Sequence, residues 1–352
     1  MKIIIAIDSF KGSATSVQLN QAAREAAEEV LAGAEVATFA IADGGEGTLE
    51  ALMEVADGEL IPVSTVDLLE RPIEASYFLS GQTAFIEAAS VVGIEKIHPT
   101  PATVEVATSL GLSAVIRDAL SRSCREIIIT LGGTGTSDGG RGLLDSLTEE
   151  DKERLRSVRL IGLTDVKNSY AGLEGYARVF GPQKGATQEQ VELMDTAALA
   201  FVQTVKEEQG IDLQAIPGTG AAGGLGGALV VLGGELQAGF PFVAKKIGLE
   251  EALQGAELVI TGEGRLDSQS LNGKVPIGVA TLARATGVPT IAVCGSVATD
   301  VEAFDDYFLA TYSIQTSIQS LERAMETEVT LTNVRFVVKN ILKCYMYSLM
   351  NK

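Results

Sequence analysis

Four short apolar runs in this chain stop at turns rich in glycine and acid. KIIIAI (2–7) runs into DSFKGS (8–13), and AEVATFAI (34–41) into ADGGEGT (42–48). EIIITL (126–131) runs into GGTGTSDGGRG (132–142), and ELVI (257–260) into TGEGRLDSQ (261–269). An unbroken β-branched run such as KIIIAI has no polar face to turn toward water. It therefore reads as a strand covered on both sides, the strand of a parallel sheet. Parallel strands need crossovers, and the intervening sequence supplies helices. SVQLNQAAREAAEEVL (16–31) is rich in Ala, Leu, Gln and Glu and follows a capping box, Thr15-x-x-Gln18. Val17, Ala22, Ala26 and Val30 fall on one face of that helix. The chain thus opens β-α-β-α, as a doubly wound sheet does.

The rhythm then changes and later returns. Residues 60–97 carry short alternating runs broken by Glu-Arg-Pro and Ser-Gly-Gln, which predict antiparallel hairpins. TEEDKERLRSVR (148–159) reads as a solvated helix. From about residue 250, AELVITGEG (256–264), GVPTIAVCGS (287–296) and DDYFLATYSI (305–314) again read as strands ending in polar turns. At 352 residues the chain exceeds what one core usually organises. The simplest architecture is α/β with two domains. Segments 1–46 and 247–352 form a doubly wound parallel sheet, and 47–246 form a mixed α/β domain inserted into it. Two consecutive domains are the alternative.

Composition narrows the function. Twenty-seven Lys and Arg stand against 46 Asp and Glu, a net charge of −19, which disfavours nucleic acid and anionic membranes as partners. A phosphate site is still feasible, built from backbone N–H groups and a few converging cations. The single histidine, His98, precedes a proline and reads as a turn residue, which removes histidine-rich metal sites. Cys124, Cys294 and Cys344 are far apart with no metal spacing, and Cys294 reads as core. No membrane-length apolar stretch or signal-peptide core is present, so the expectation is a cytoplasmic protein. A homo-oligomer is compatible with this.

The strand-end turns are the informative feature. Glycine and aspartate are ordinary turn formers, and one such turn would carry no further meaning. Four of them, each with a reactive side chain, point to function, because open parallel sheets bind ligands beyond the carboxyl ends of their strands. Specific fingerprints fail. No G-x-x-x-x-G-K-[ST] occurs, and GTSDG (135–139), though spaced G-x-S-x-G, is not read as a serine-hydrolase elbow. GTGAAG (218–223) matches G-x-G-x-x-G, but it follows no convincing strand and lacks the acidic residue about 20 positions on. A dinucleotide-dependent oxidoreductase would rest on that motif alone.

What remains suits phosphoryl transfer without a P-loop, which needs cations around the transferred group, carboxylates for a metal, and a group that orients the accepting hydroxyl. Lys11 and Arg265 follow strands, and Lys184 (GPQKGA) and Lys274 (LNGKVP) sit in glycine-flanked turns. Asp8, Asp43, Asp138, Glu263 and Asp267 are the strand-end carboxylates. Mg²⁺ favours one or two carboxylates with phosphate oxygens and water.

These residues carry a resemblance. DSFKGS, ADGGEGT, LGGTGTSDGG, DVKN with VFGPQKGA, PGTGAAGGLGG and VITGEGRLDSQSLNGKVPIGVA resemble, in order, the signature blocks of the bacterial glycerate kinases. That family is cytoplasmic and phosphorylates glycerate with ATP, commonly to 2-phosphoglycerate. The likeness runs from residue 3 to about residue 300. It implies a flavodoxin-like domain with a second domain inserted, ATP and Mg²⁺ as cofactors, and glycerate as substrate. Matched block by block, it implies a site of Ser9, Lys11, Asp43, Gly44, Gly45, Gly132, Gly133, Asp138, Lys184, Glu263, Arg265 and Asp267; Thr134 and Lys274, in turns of the same kind, are further candidates for binding phosphate or substrate. In the mechanism expected from it, Lys11 and Arg265 neutralise phosphoryl and carboxylate charge. Backbone N–H groups of Gly132–Gly135 cradle phosphates, Asp43 or Asp267 handles the hydroxyl proton, and Glu263 and Asp267 face the metal. Departures exist. Ile7 replaces a proline, Asn168-Ser169 an asparagine-proline pair, and Leu110 and Ser113 stand in a divergent block, 107–115. Some tens of residues that the family carries after Leu147 are missing. A non-catalytic sensor retaining the same site is the rival reading.

Overall fold

The computed structural model describes residues 1–299 and 302–350. The chain divides into two compact units: Met1–Asp43 with Glu50–Val55 and Phe240 onward, and Gly44–Leu49 with Ala56–Gly239. The first unit is thus assembled from the two ends of the chain, and the second is almost continuous.

The first unit is built on five parallel strands. Across the sheet they run Glu35–Thr38, Lys2–Ile7, Leu258–Gly262, Thr290–Cys294 and Ala310–Ser313. The first strand lies inside the sheet, with Ile4 opposite Ala37 on one side and Val259 on the other. Strand periodicity divides its apolar run between two cores. Ile3, Ile5 and Ile7 pack with helices Ser16–Val30 and Thr327–Met350, while Ile4 and Ala6 pack with Gly239–Lys246, Leu249–Ala252 and Val275–Ala285. Both faces are covered, which is why the run needs no polar residue. The Thr15 capping box forms as the sequence predicts. The buried face of its helix centres on Leu19, Ala22, Ala23, Ala26 and Ala27, with Val17 and Val30 only half-buried at its margins. Buried Asn20 closes the end of the first strand, accepting the Ile7 N–H at 2.9 Å and donating to the Ile7 carbonyl at 2.9 Å. Ile7 therefore uses its N–H, which a proline at this position would lack.

The second unit holds a six-stranded mixed sheet. Its order is Glu59–Val66, Pro72–Ser80, Thr83–Glu87, Glu126–Thr130, Arg159–Leu163 and Glu235–Gln237. The first two pairings are antiparallel, as the hairpin reading of 60–97 predicts, and the other three are parallel. Its main core includes Ile127, Ile129, Leu112, Val115, Leu143 and Leu229. The charged connection is a helix, Glu149–Arg156, with acids in its first turn and arginines in its last, the arrangement the helix dipole favours. Among the described residues, no helix is long and apolar enough to cross a membrane.

Candidate active site

A cavity of about 710 Å³ lies within the first unit, at the carboxyl ends of its strands. Three loops make its polar end, and their backbones hold one another. The Asp8 N–H donates to the Gly262 carbonyl at 2.9 Å, joining the loop after the first strand to the next strand of the sheet. Arg265–Leu266 and Ser296–Val297 form a small parallel ladder. Gly295 N–H to Glu263 O at 3.1 Å and Ser296 N–H to Gly264 O at 3.0 Å extend it. The contact tolerates no side chain, since a Cβ on Gly295 would lie 2.4 Å from the Gly264 oxygen.

Ser9, Lys11, Asp43, Glu263, Arg265 and Lys274, all expected from the sequence, line this cavity, and Asp8 joins them. Two of these carboxylates, Asp8 and Glu263, are electrostatically strained. Burial, together with the like charges of Asp43 and Glu263, pushes Asp8 well above the usual carboxylate range, and the Lys11 charge opposes this. Burial likewise raises Glu263, helped by Asp267 and Asp43. The Ser270 hydroxyl, donating to Glu263 Oε1, and Lys274 Nζ, 3.7 Å from Oε2, pull it back. Asp267 is engaged differently. Its Oδ1 accepts from Gln269 N–H at 3.0 Å as the cap of the turn Ser268–Asn272, and its Oδ2 pairs with Arg265 Nε at 3.1 Å. It is not among the lining residues.

The remaining expected residues belong to the second unit. Gly44 has φ +86°, and a Cβ there would meet Gly239 Cα at 2.9 Å; one on Gly132 would lie 2.5 Å from Gly45 Cα. Glycine at these positions is required by backbone packing. The stretch 131–142 is largely an interior loop: Thr134, Thr136 and Ser137 are buried and Gly133 is exposed. The Gly135 N–H donates to Val92 O at 2.8 Å, so it is not available to a phosphate as the Gly132–Gly135 cradle would require. Asp138 accepts from Ser109 N–H and Oγ at 2.8 Å each and from Gly140 and Gly142 N–H at 3.0 Å each, a carboxylate saturated by its own loop and a neighbour. Lys184 is buried (3% exposed) and donates to Thr136 O at 2.7 Å. Burial pushes its ammonium down to about 8, against the pull of Asp138. GTGAAG also serves packing. A Cβ on Gly223 would lie 1.9 Å from Thr136 O, and no strand precedes the motif between Leu163 and Glu235.

Three features escaped the motifs. Ser270, fully buried, holds Glu263. The carboxylate of Glu87 accepts the Thr48 N–H at 3.2 Å beside the ADGGEGT turn, and burial pushes it up to about 7. Its only sequence signal is a position at a strand end. The cavity is also lined by apolar side chains of the segment 314–325, Ile314, Ile318, Leu321 and Met325, with no motif to announce them. Of the thiols, Cys294 is fully buried and pushed up to about 12 by burial, the inert core residue expected; Cys124 is buried and Cys344 exposed.

Comparison with known proteins decides the family. The model of the glycerate kinase family matches residues 3–153 and 147–346. The chain belongs to that family. The glycerate 2-kinase of Escherichia coli (strain K12) is 36% identical, over 92% of this chain and 93% of the relative. The glycerate kinase of Bacillus cereus is 33% identical over 97% of each. A crystal structure of a proposed glycerate kinase 2 from Salmonella typhimurium LT2 superposes with a TM-score of 0.82, 34% identity and 99% coverage of both chains. The two stretches matched by the glycerate kinase model meet at 147–153. There, helix Arg141–Ser146 gives way to Glu149–Arg156 across Leu147 and Thr148 alone, with the Thr148 hydroxyl capping the second helix.

Proposed function

We propose that this chain is an ATP-dependent kinase of glycerate that transfers the γ-phosphoryl group to the 2-hydroxyl, giving 2-phosphoglycerate. The observation that carries the reading is the convergence of Lys11, Arg265 and Lys274 with Asp8, Asp43 and Glu263 in one cavity, in a chain of the glycerate kinase family. The strand order also supports a flavodoxin-like first unit, since numbering its five strands along the chain gives 2-1-3-4-5 across the sheet.

In this mechanism Lys11 and Lys274 offset the growing negative charge on the phosphoryl oxygens. Arg265, oriented by its ion pair with Asp267, binds an anionic group of the substrates. Asp43 accepts the proton of the attacking hydroxyl as the new O–P bond forms and the β–γ bridging bond breaks, the electron pair leaving with ADP. Its position in the cavity favours it over Asp267, which is not among the lining residues.

The residues suit Mg²⁺. Asp8, Asp43 and Glu263 share a cavity; the charges of Asp43 and Glu263 raise the proton affinity of Asp8, and that of Asp43 raises Glu263, the mark of a site short of positive charge. Among the described residues no three acidic, histidine or cysteine groups form a closed metal cage, so the ion would take one or two carboxylates, Glu263 foremost, and complete its shell with phosphate and water. When bound, Mg²⁺ supplies charge neutralisation of the phosphates. A sensor without turnover has no observation of its own in its favour, since Lys11, Asp43 and Arg265 are all in place.

Phosphorus NMR of the wild-type chain with ATP, MgCl₂ and D-glycerate should yield ADP and a phosphomonoester on the 2-oxygen. Lys11→Met should lower kcat at least a hundredfold with unchanged circular dichroism. Failure of the wild type to turn over would sink the kinase reading, and near-normal turnover of the variant would sink the role of Lys11.

A further inference from the structure

The kinase reading leaves half of the cavity unexplained. Its charged groups come from the strand-end turns, whereas the segment 314–325 lines it with Ile314, Ile318, Leu321 and Met325, the apolar end of the cavity wall. A three-carbon hydroxy acid is polar throughout, and a cavity of about 710 Å³ is far larger than it needs. Volumes of about 300–1,000 Å³ with apolar walls and a few placed polar groups are those of cofactor-sized ligands. Ile318 and Leu321 are 107% and 74% exposed, so apolar side chains stand open to water at the rim of a functional cavity. Such a patch marks a binding surface.

This end is held firmly in place. The Ile314 N–H donates to Cys294 O at 2.8 Å, and Gln315 Nε2 to Gly295 O at 3.1 Å. The rim loop is thereby tied to the same Gly295 that meets Gly264. The Thr316 hydroxyl bonds Asn333 at 3.1 Å on the C-terminal helix. Met325 packs over Gly12, next to Lys11: a Cβ on Gly12 would lie 3.0 Å from its methyl carbon. The apolar and cationic ends therefore abut at the turn after the first strand.

We infer that the apolar end, chiefly Ile314, Ile318, Leu321 and Met325, is the subsite for the purine base of the nucleotide, whose phosphate chain runs toward Lys11 and Lys274. The assignment rests on the kinase reading for the identity of the ligand. A heteroaromatic base has two apolar faces that aliphatic side chains cover, and Ser317 and Gln319 of the same segment also line the cavity, where they can meet its polar edge.

The test compares ADP with inorganic tripolyphosphate, which has the phosphates and no base. Calorimetric titration of each into the wild-type full chain is repeated with the double variant Ile318→Ser/Leu321→Ser. Both positions are exposed, so the fold should tolerate the change. The expected result is at least a tenfold loss of ADP affinity with tripolyphosphate affinity within twofold of wild type, and recovery in Ile318→Val/Leu321→Met. Equal ADP affinity in the wild type and the double variant, equal losses for both ligands, or no ADP binding to the wild type would each overturn the assignment. The kinase reading fails separately. A wild type that binds ADP with this base dependence yet phosphorylates no glycerate keeps the subsite and loses the reaction. One that turns over while the double variant holds ADP normally does the reverse.

Discussion

Glu87 offers a test of the electrostatics that does not depend on turnover. It closes strand Thr83–Glu87, and its carboxylate accepts from Thr48 N–H, with the Gly47 and Leu49 N–H groups also favouring the charged form. Burial outweighs these donors and lifts it from its ordinary 4.5 to about 7. At about 1.4 kcal/mol per pH unit, that rise corresponds to a cost of about 3 kcal/mol for holding the ionised group in the folded chain. Between pH 4.5 and about 7 the folded state keeps a proton that the unfolded state has released, so stability falls as pH rises through this window and levels off above it. Glu87→Gln keeps the acceptor and removes the ionisation. Urea unfolding should find variant and wild type within about 0.5 kcal/mol near pH 4.5 and the variant more stable by about 2–3 kcal/mol near pH 8. Other titrations cancel in the difference. A gap that does not change with pH, or a wild type that gains on the variant as pH rises, would refute the reasoning.

Two further outcomes follow from the geometry. Asp138→Asn turns an amide NH₂ toward N–H donors that now converge on a carboxylate, so it should cost about 2–4 kcal/mol and lower Tm by several degrees in calorimetry. Undiminished Tm with lost activity would instead make Asp138 a ligand-binding group. Gly295→Ala drives a Cβ against the Gly264 carbonyl and should part the two loops that carry Glu263, Arg265 and Ser296. We expect kcat/KM to drop at least tenfold with far-UV circular dichroism unchanged, and unchanged kinetics would mean the contact relaxes at no cost to the site.

What the sequence made legible follows from topology. Lys11, Asp43 and the close pair Glu263 and Arg265 come from three distant parts of the chain, yet each part follows a strand of one parallel sheet, and parallel strands deliver their carboxyl ends to one edge. Composition alone could not separate them from Asp138 and Lys184, which sit in turns of the same kind. The difference is tertiary. Asp138 finds Ser109, and Lys184 finds the Thr136 carbonyl, partners that no local pattern specifies. GTGAAG misleads for the same reason, because glycines required by close backbone packing and glycines required by a phosphate look alike. Glu87 is an ordinary strand-end acid until its burial is known. The apolar rim was invisible because Ile318 and Leu321 acquire meaning only once Gln315 ties their loop to Gly295.

The inner position of the first strand also dictates an order of assembly. Lys2–Ile7 can pair with Glu35–Thr38 as soon as both have emerged, but its other neighbour, Leu258–Gly262, emerges only after the whole second unit. At about 5–20 residues per second, that wait is on the order of tens of seconds. The helix Ser16–Val30 waits longer still for its partner, Thr327–Met350, whose Arg335 pairs with Glu25 at 2.8 Å. During that interval the nascent chain carries a six-residue apolar strand with one open edge, the kind of template on which other chains add. The residues whose arrival ends the hazard are those of the last third of the chain, so truncations there should aggregate even though the segment lost holds neither Lys11 nor Asp43.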